Sequence, residues 1–480
     1  MPQPTDPDSD ARNALRLLGA DPQNWVPDRA GLDHNVTIVG GGQSGCAFAF
    51  ALRRAGIGKV SVIDAAPDQT RAGVWLTTAR MNVLRTPKAL PGPENGIAAL
   101  SFQAWYEARH GGEAYAAIER IPRRDWAEYL SWYRHFLNIP VRYATRLARI
   151  EPAETGFRLH LETAAGASIE TTRKIILANG VAGNGGPYIP PVLCEGAPRH
   201  LCAHTADAID FAALRGKQIA VIGAAASAFD TGAVALEQGA AAVHLFARRP
   251  EIAATPINRV RGYPGAYDNY PDLPDAVRWH QAIRFRRAGS TPPADAIERI
   301  SRFANFHLHL ASPWLSAREE AGRIVAQTEN GEFRFDFAIA GTGFFVDPGS
   351  RPELADFADK ILLWRDRFTP PADEEDDYLA AHPYLGVAHE YLEKAPGTAP
   401  YLKDIHVQNP AGFVSFGVPV GDVPSMKRGL PAVVARISRD LFLADLDSHA
   451  HRMTGDVAPD FGPELYAPLI WKGAAEPMPA

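Results

Sequence analysis

The chain carries two strand–glycine-turn–helix–strand units of nearly equal length, and their second strands run into opposite charges. In the first, the apolar run Val36-Thr37-Ile38-Val39 leads into Gly40-Gly41-Gly42-Gln43-Ser44-Gly45, and the small-residue stretch Cys46 to Leu52 continues as a helix. Glycines at 40, 42 and 45 permit a tight turn and a close backbone approach to a pyrophosphate, whose charge then meets the helix N-terminus; Gln43 and Ser44 lie at the same turn. The next strand, Val60-Ser61-Val62-Ile63, ends at Asp64, 24 residues beyond Gly40. A carboxylate there accepts from both ribose hydroxyls and repels a 2′-phosphate, so this unit suits FAD or NAD.

The second turn, Gly223-Ala224-Ala225-Ala226-Ser227-Ala228, follows Ile219-Ala220-Val221-Ile222, and its next strand, Val243-His244-Leu245-Phe246, runs into Arg248-Arg249, 25 residues beyond Gly223. Guanidinium forks match phosphate oxygens, which marks an NADP site with Ser227 and Ala228 at the pyrophosphate. One such turn is weak evidence. Two with matched spacing and opposite terminal charge define an α/β protein with two Rossmann-like dinucleotide-binding domains.

With 480 residues, 46% of them hydrophobic, the chain can bury a sizeable core, and its length fits two or three domains. A net charge of −6 leaves no footprint for nucleic acid. Residues 1–30 are polar and rich in Pro and Asp, without an apolar run for a signal peptide or membrane span, so a soluble cytoplasmic protein is expected. Cys46, Cys194 and Cys202 form no CxxC pair, which argues against a disulfide framework and a redox dithiol. The sequence leaves room for a homo-oligomer.

The two units predict one domain inserted into another: an N-terminal arm (1–34), an FAD-binding part (35–216), an NADP-binding domain (217–338), and the rest of the FAD-binding domain (339–480). The strand Ile175-Ile176-Leu177-Ala178 ends in a Gly/Pro-rich linker, Val181 to Pro191, and a later strand ends in Gly341-Thr342-Gly343, marking the two crossings. Trp126, Tyr129, Leu130 and Tyr133 fall at helical spacing and read as core. His307 and His309 share a strand face without a third ligand at metal-site spacing and read as a packed or surface pair, and Glu374-Glu375-Asp376-Asp377 reads as a solvated loop.

These features resemble the NADPH-dependent flavin monooxygenases (class B). The stretch Met81-Asn82-Val83-Leu84-Arg85, followed by Leu100-Ser101-Phe102 and Ile121-Pro122-Arg123-Arg124, is similar to the branch that N-hydroxylates ornithine and lysine. There a Leu-Lys pair stands at Leu84-Arg85 and its lysine contacts substrate and nicotinamide cofactor; Ile257-Asn258 resembles their substrate-contacting segment, and Gly73-Val74-Trp75 the flavin-side Gly-Gly-x-Trp. The chain departs from that pattern at Arg85, at Asn258-Arg259 in place of Asn-Glu, at Ala225 in place of the middle glycine, and in a Phe-x-Gly-x-x-x-His signature represented at most by His204. The resemblance implies FAD and NADPH as cofactors, dioxygen as co-substrate and a flavin 4a-hydroperoxide that hydroxylates a small polar molecule, by amine N-hydroxylation or urate-type ring hydroxylation. Arg85, Asn258, Lys88 and Asp422 are the expected pocket groups, Asp422 lying after an expected strand Phe413–Phe416 and also able to cap the helix that follows it. The competing readings are an NADPH-dependent reductase or oxidase serving a quinone or partner protein, and a nucleotide-binding sensor without turnover.

Overall fold

A computed structural model describes residues 6–90 and 92–473, apart from the side chain of Asn258. The two units expected from the glycine turns become two sheets that repeat one plan. In the first, the strands Val141–Arg142, Val60–Ile63, His34–Val39 and Gly166–Leu177 lie side by side and parallel, and Ile405–Val407 adds a parallel strand on the far side of Leu177. In the second, Phe306–His309, Ala242–Phe246, Gln218–Ile222, Phe337–Ala340 and Cys202–His204 follow the same order. Each sheet's return strand is preceded by an antiparallel meander, Thr145–Pro152 and Phe157–Thr163 in one, Ser316–Glu320, Arg323–Thr328 and Gly331–Phe335 in the other.

The register repeats as well. Val39 pairs with Ile63 and Leu177; Ile222 pairs with Phe246 and Ala340. The central strands are apolar on both faces because both are covered, one by helices and the other by the antiparallel meander. Helix Gln43–Arg54 buries Ala47, Phe48, Phe50 and Leu52, and the long helix Met426–Ala444 packs against it. The second sheet takes in Cys202–His204, ahead of the expected start at 217, and Phe337–Ala340, past the expected end at 338. Chain crossings between the sheets run together: Gly185–Pro187 pairs antiparallel with Phe344–Val346. The N-terminal arm forms a helix, Pro7–Leu18, capped by Asp6 and tied to the aromatic helix by Trp132 Nε1 donating to Asp8 at 2.8 Å.

Helix Arg123–Phe136 buries Trp126, Tyr129 and Tyr133, with Leu130 packed beside them. Two expectations are corrected. Phe413–Phe416 is a single helical turn, and the strand that rejoins the first sheet is Ile405–Val407. A four-residue apolar run has no period to separate strand from helix. Here the outcome is decided by the Asn409 side chain accepting from Ala411 N–H at 3.1 Å and by Gly417, whose φ of 71° ends the turn. The acidic run is tethered rather than solvated: Glu374 pairs with His280, and Asp376 pairs with Arg286 at 3.2 Å and caps Leu379 N–H at 2.9 Å. His307 and His309 pack against His244, and among the described residues no group of three or more His, Cys, Asp and Glu is arranged to hold a metal. Nor is any described helix long and apolar enough to cross a membrane.

Buried Ser415 ties this region together. Its Oγ accepts from Trp364 Nε1 at 3.2 Å and Leu385 N–H at 3.1 Å and lies 3.3 Å from the Pro383 carbonyl. Ser415→Ala strands two buried donors, and each costs about 1–3 kcal/mol. A fall in denaturant midpoint corresponding to about 2 kcal/mol or more is expected; a loss under about 0.5 kcal/mol would mean the donors find other partners.

Candidate active site

At the first turn the backbone leaves no room for side chains in two places and open space in a third. Gly40 has φ 112°, and a Cβ there would lie 2.2 Å from the Ala178 carbonyl oxygen. A Cβ on Gly45 would lie 1.8 Å from the Gly40 carbonyl oxygen, while nothing stands within 4 Å of one on Gly42. So Gly40 and Gly45 close the turn and Gly42 faces the cleft. Asp64 reaches back: one carboxylate oxygen accepts from Gly41 N–H and the other from Ala66 N–H, both at 2.7 Å. Each oxygen keeps a second acceptor position.

Gln43 and Ser44 join this turn to the chain's C-terminal part. Gln43 Nε2 and Ser44 Oγ both donate to the Gly421 carbonyl, at 3.0 and 3.2 Å, and Gln43 Oε1 accepts from Trp126 Nε1 at 3.2 Å. A cleft lies at each end of the Gln43–Trp126 bond. One, of about 210 Å³, is lined by Gly41, Gly42, Gln43, Trp75 and Arg134. The other, of about 190 Å³, is lined by Leu84, Lys88, Glu94, Phe102, Trp126 and Val423. Trp75 stands edge-on to Trp126, with ring centroids 6.4 Å apart. Asp422 follows Gly421, accepts from Ser425 N–H at 2.9 Å at the entrance to helix Met426–Ala444, and has its carboxyl pushed up to about 6 by burial.

The second turn is built alike with one exchange. Gly223 has φ 119°, and a Cβ there would lie 2.3 Å from the Gly341 carbonyl oxygen. Further along the turn the two differ: a Cβ on Gly45 would strike the Gly40 carbonyl, whereas the second unit has Ala228, which faces Gly341, and a Cβ on Gly341 would come within 2.7 Å of Ala228 Cβ. Ser227 is half-buried in the first turn of helix Ala226–Glu237. Register places Ala247, not an arginine, opposite Asp64: Asp64 N–H donates to Arg142 and Ala247 N–H to His309, each the last residue of the neighbouring strand. The expected exchange of carboxylate for arginine is therefore corrected to carboxylate for methyl, with the arginines one and two residues on. Those arginines differ. Arg249 donates to the Ala288 carbonyl at 2.9 Å, bracing a helix end, whereas Arg248 is exposed and makes no hydrogen bond or ion pair among the described residues.

Between the two sheets lies a cluster of charge. Arg85, on the strand Val83–Pro87, stands 3.8 Å from Asp230 of the second unit's helix, and Arg299 stands 3.7 Å from the other oxygen of Asp230 while forking onto Glu237 at 2.6 and 2.7 Å. Burial pushes the Asp230 carboxyl up to about 6, against the pull of Arg85 and Arg299. Burial also lowers the Arg85 guanidinium. Arg123 donates to the carbonyls of Met81 and Trp75, and Arg80 to those of Thr205 and Asp207, so these two hold loops in place.

Lys88 lines the second cleft, but its ammonium is engaged. It donates to the carbonyls of Tyr115 at 2.7 Å and Ile118 at 2.6 Å, and sits 4.4 Å above the Tyr115 ring. Asn258 belongs to the turn Ile257–Arg261, and its side chain lies outside the described residues. Three residues of the site carried no sequence signal: Asp230, Arg299 and Glu94. Glu94 is buried beside Trp126, accepts from Gly92 N–H at 2.7 Å, and is pushed up by burial. Cys46, pushed up to about 12 by burial, is held as a thiol, and His204 is buried against Phe344.

Residues 37–263 match the family model described as pyridine nucleotide-disulphide oxidoreductase. An FAD-dependent urate hydroxylase from Xanthomonas campestris pv. campestris is 40% identical over 436 residues, covering 90% of this chain and 91% of that one. The chain belongs to the flavin-dependent monooxygenases. The ornithine hydroxylase of Pseudomonas aeruginosa superposes with a TM-score of 0.66 at 18% identity over 85% of this chain and 99% of that one. The L-lysine 6-monooxygenase of Pseudomonas syringae gives a TM-score of 0.62 at 17% identity, over 86% and 99%. These two share the fold.

The Asp230 carboxyl gives a pH test within this monooxygenase. A carboxyl whose folded value lies above its unfolded one is most favourable below the unfolded value of 3.8 and loses its contribution as pH rises through about 6. Asp230→Asn removes that step, so the variant should gain up to about 2–3 kcal/mol relative to the wild type between pH 4 and 7.5. Denaturant midpoints of both proteins measured across that window check this, and a constant difference would show that Asp230 ionises like a surface carboxylate.

Proposed function

We propose that the protein is an FAD-dependent, NADPH-consuming hydroxylase of an oxidised purine of the urate type. The observation that carries the substrate class is the 40% identity with a urate hydroxylase along nine-tenths of the chain. The site is compatible with it. Arg85 offers a planar donor fork at the junction of the two sheets, suited to the paired oxygens and nitrogens of such a ring or to a carboxylate.

The turns fit the two nucleotides. At the first, Gly42 opens to the cleft, the helix N-terminus supplies backbone N–H donors, and Asp64 has acceptor positions left for ribose hydroxyls: this sheet, whose strands lie within 34–177 and at Ile405–Val407, takes FAD. The second sheet, inserted between the paired crossings, takes NADPH. Ala247 stands there where the first unit has Asp64, and Arg248, exposed and without a side-chain partner among the described residues, is available to a 2′-phosphate. When bound and reduced by NADPH, the flavin supplies the activation of dioxygen. Substrate, dioxygen, NADPH and a proton then yield hydroxylated product, water and NADP⁺.

The chain's own residues hold and shield. Gln43 fixes the turn to Gly421 and to Trp126, so that one residue ties the walls of both clefts. Asp422, half-buried and pushed up to about 6, would bond a hydroxyl of the cofactor's sugar chain from its position beside Gly421. Arg85 orients the substrate with Asp230 behind it, while Phe102, Trp126 and Val423 keep water from the second cleft. Asn258 is retained as a substrate contact from the resemblance. Lys88 is retained as a wall of the pocket, its charge serving the loop Tyr115–Ile118. A cytoplasmic location suits the supply of NADPH.

With urate, NADPH and ¹⁸O₂, one labelled atom should enter the product and the other appear as water. Oxygen consumption that yields only hydrogen peroxide, whatever purine is supplied, would favour the oxidase reading. The arginine pair gives a second test. Arg248→Ala should reduce the NADPH-over-NADH ratio of kcat/KM by about tenfold or more, since a charge-assisted contact contributes roughly 1.5–3 kcal/mol. Arg249→Ala should act mainly on stability, because its guanidinium braces Ala288. An unchanged ratio in Arg248→Ala would remove the 2′-phosphate contact from that residue.

A further inference from the structure

The C-terminal part of the chain leaves the body of the protein as an arm with nothing to cover it. After helix Leu446–Met453, residues 454–473 form two short 3-10 turns, Pro463–Leu465 and Ala467–Leu469, that pack on one another. Among the described residues, no hydrogen bond or ion pair ties residues 455–473 to the rest of the molecule. Yet the arm is apolar: Val457 is 88% exposed, Leu469 82% and Trp471 76%, with Phe461, Leu465 and Ile470 also exposed. Single exposed apolar residues are ordinary, but a run of six on one free segment is the mark of a binding element.

A receiving surface lies at the arm's own root. Leu17 and Leu18, at the end of helix Pro7–Leu18, and Leu446 and Met453, on the helix from which the arm springs, are all exposed. They border one region: Arg54 donates to the Gly19 carbonyl and pairs with Asp21, and Trp25, four residues on, packs its ring at a tilt against His449, centroids 5.4 Å apart, while its carbonyl accepts from Arg452. The charges lean opposite ways. Asp456, Asp460 and Glu464 against one Lys472 lie on the arm; Arg16, His451 and Arg452 against one Asp447 stand exposed beside the receiving side chains.

We propose that residues 454–473 dock on a second copy of this chain, each arm lying across the other's surface at Leu17, Leu18, Leu446 and Met453. An arm rooted beside its receiving face lets two copies exchange arms about a twofold axis, each surface meeting the same patch of the other. The area is sufficient. Six large side chains offer on the order of 600 Å² per arm, and counting the surface covered and the symmetric repeat gives on the order of 2,400 Å², within the range of stable homodimers. The inference is independent of the substrate.

Sedimentation equilibrium of the full chain should give a dimer at micromolar concentration. Leu469→Asp with Trp471→Asp should weaken it by roughly a hundredfold or more, and Leu18→Asp with Met453→Asp should do the same from the receiving side. Bound flavin and the melting temperature of the monomeric variants, compared in dilute solution, should match the wild type, because all four side chains are already exposed in the single chain. A wild type that is monomeric, or a dimer that survives either pair of substitutions, overturns the proposal.

Discussion

The structure depends on a close approach of backbone to backbone at two places. At each turn the chain enters a helix directly beneath the end of the neighbouring strand, Gly40 against Ala178 and Gly223 against Gly341. That contact lowers the helix N-terminus toward the cleft and aims its unpaired N–H groups there. Small residues are required across it, but on which side is open. In the first unit the strand end carries Ala178 beneath Gly40; in the second it carries Gly341, which also leaves room for Ala228. The alanine of the second motif is therefore accommodated by a glycine 118 residues beyond Gly223 in the chain.

Much of this was legible from the chain. The glycine turns, their strands and the 24-residue spacing to Asp64 follow from local periodicity and from conformations that glycine favours. The aromatic helix was legible because its apolar residues fall on one face, and its tryptophan turned out to hold Gln43 as well as the core. What the chain hid was partnership over distance. Asp230 sits among small residues in helix Ala226–Glu237, and nothing nearby announces that Arg85, 145 residues earlier, will stand beside it. Spacing also put the arginines one residue out of register with Asp64, which only the pairing of strands resolves. Lys88 looked like a free charge because three backbone carbonyls have no sequence signature.

The site joins two kinds of order. Within each sheet, positions are set by ladders of backbone hydrogen bonds and by buried aliphatic packing, which tolerate little displacement. Across the junction they are set by guanidinium and carboxylate pairs at 3.7–3.8 Å, longer than direct hydrogen bonds. Such pairs are directional only weakly, so the junction can accept a ligand by small shifts of long side chains while the turns stay fixed. Substitutions at Arg85 or Asp230 can then alter the junction without rebuilding either glycine turn.

The two crossings between the sheets have a mechanical consequence. A body tethered by one strand can swing and swivel freely, but Gly185–Pro187 and Phe344–Val346 run in opposite directions and are hydrogen-bonded to each other. A ribbon of two such strands bends easily out of its plane and resists bending within it. A third attachment, helix Asp275–Ala288, packs Trp279 against Trp364 with ring centroids 6.0 Å apart and carries Arg278 to the Ser415 carbonyl, so the inserted part is held at the ribbon and at a second place away from it.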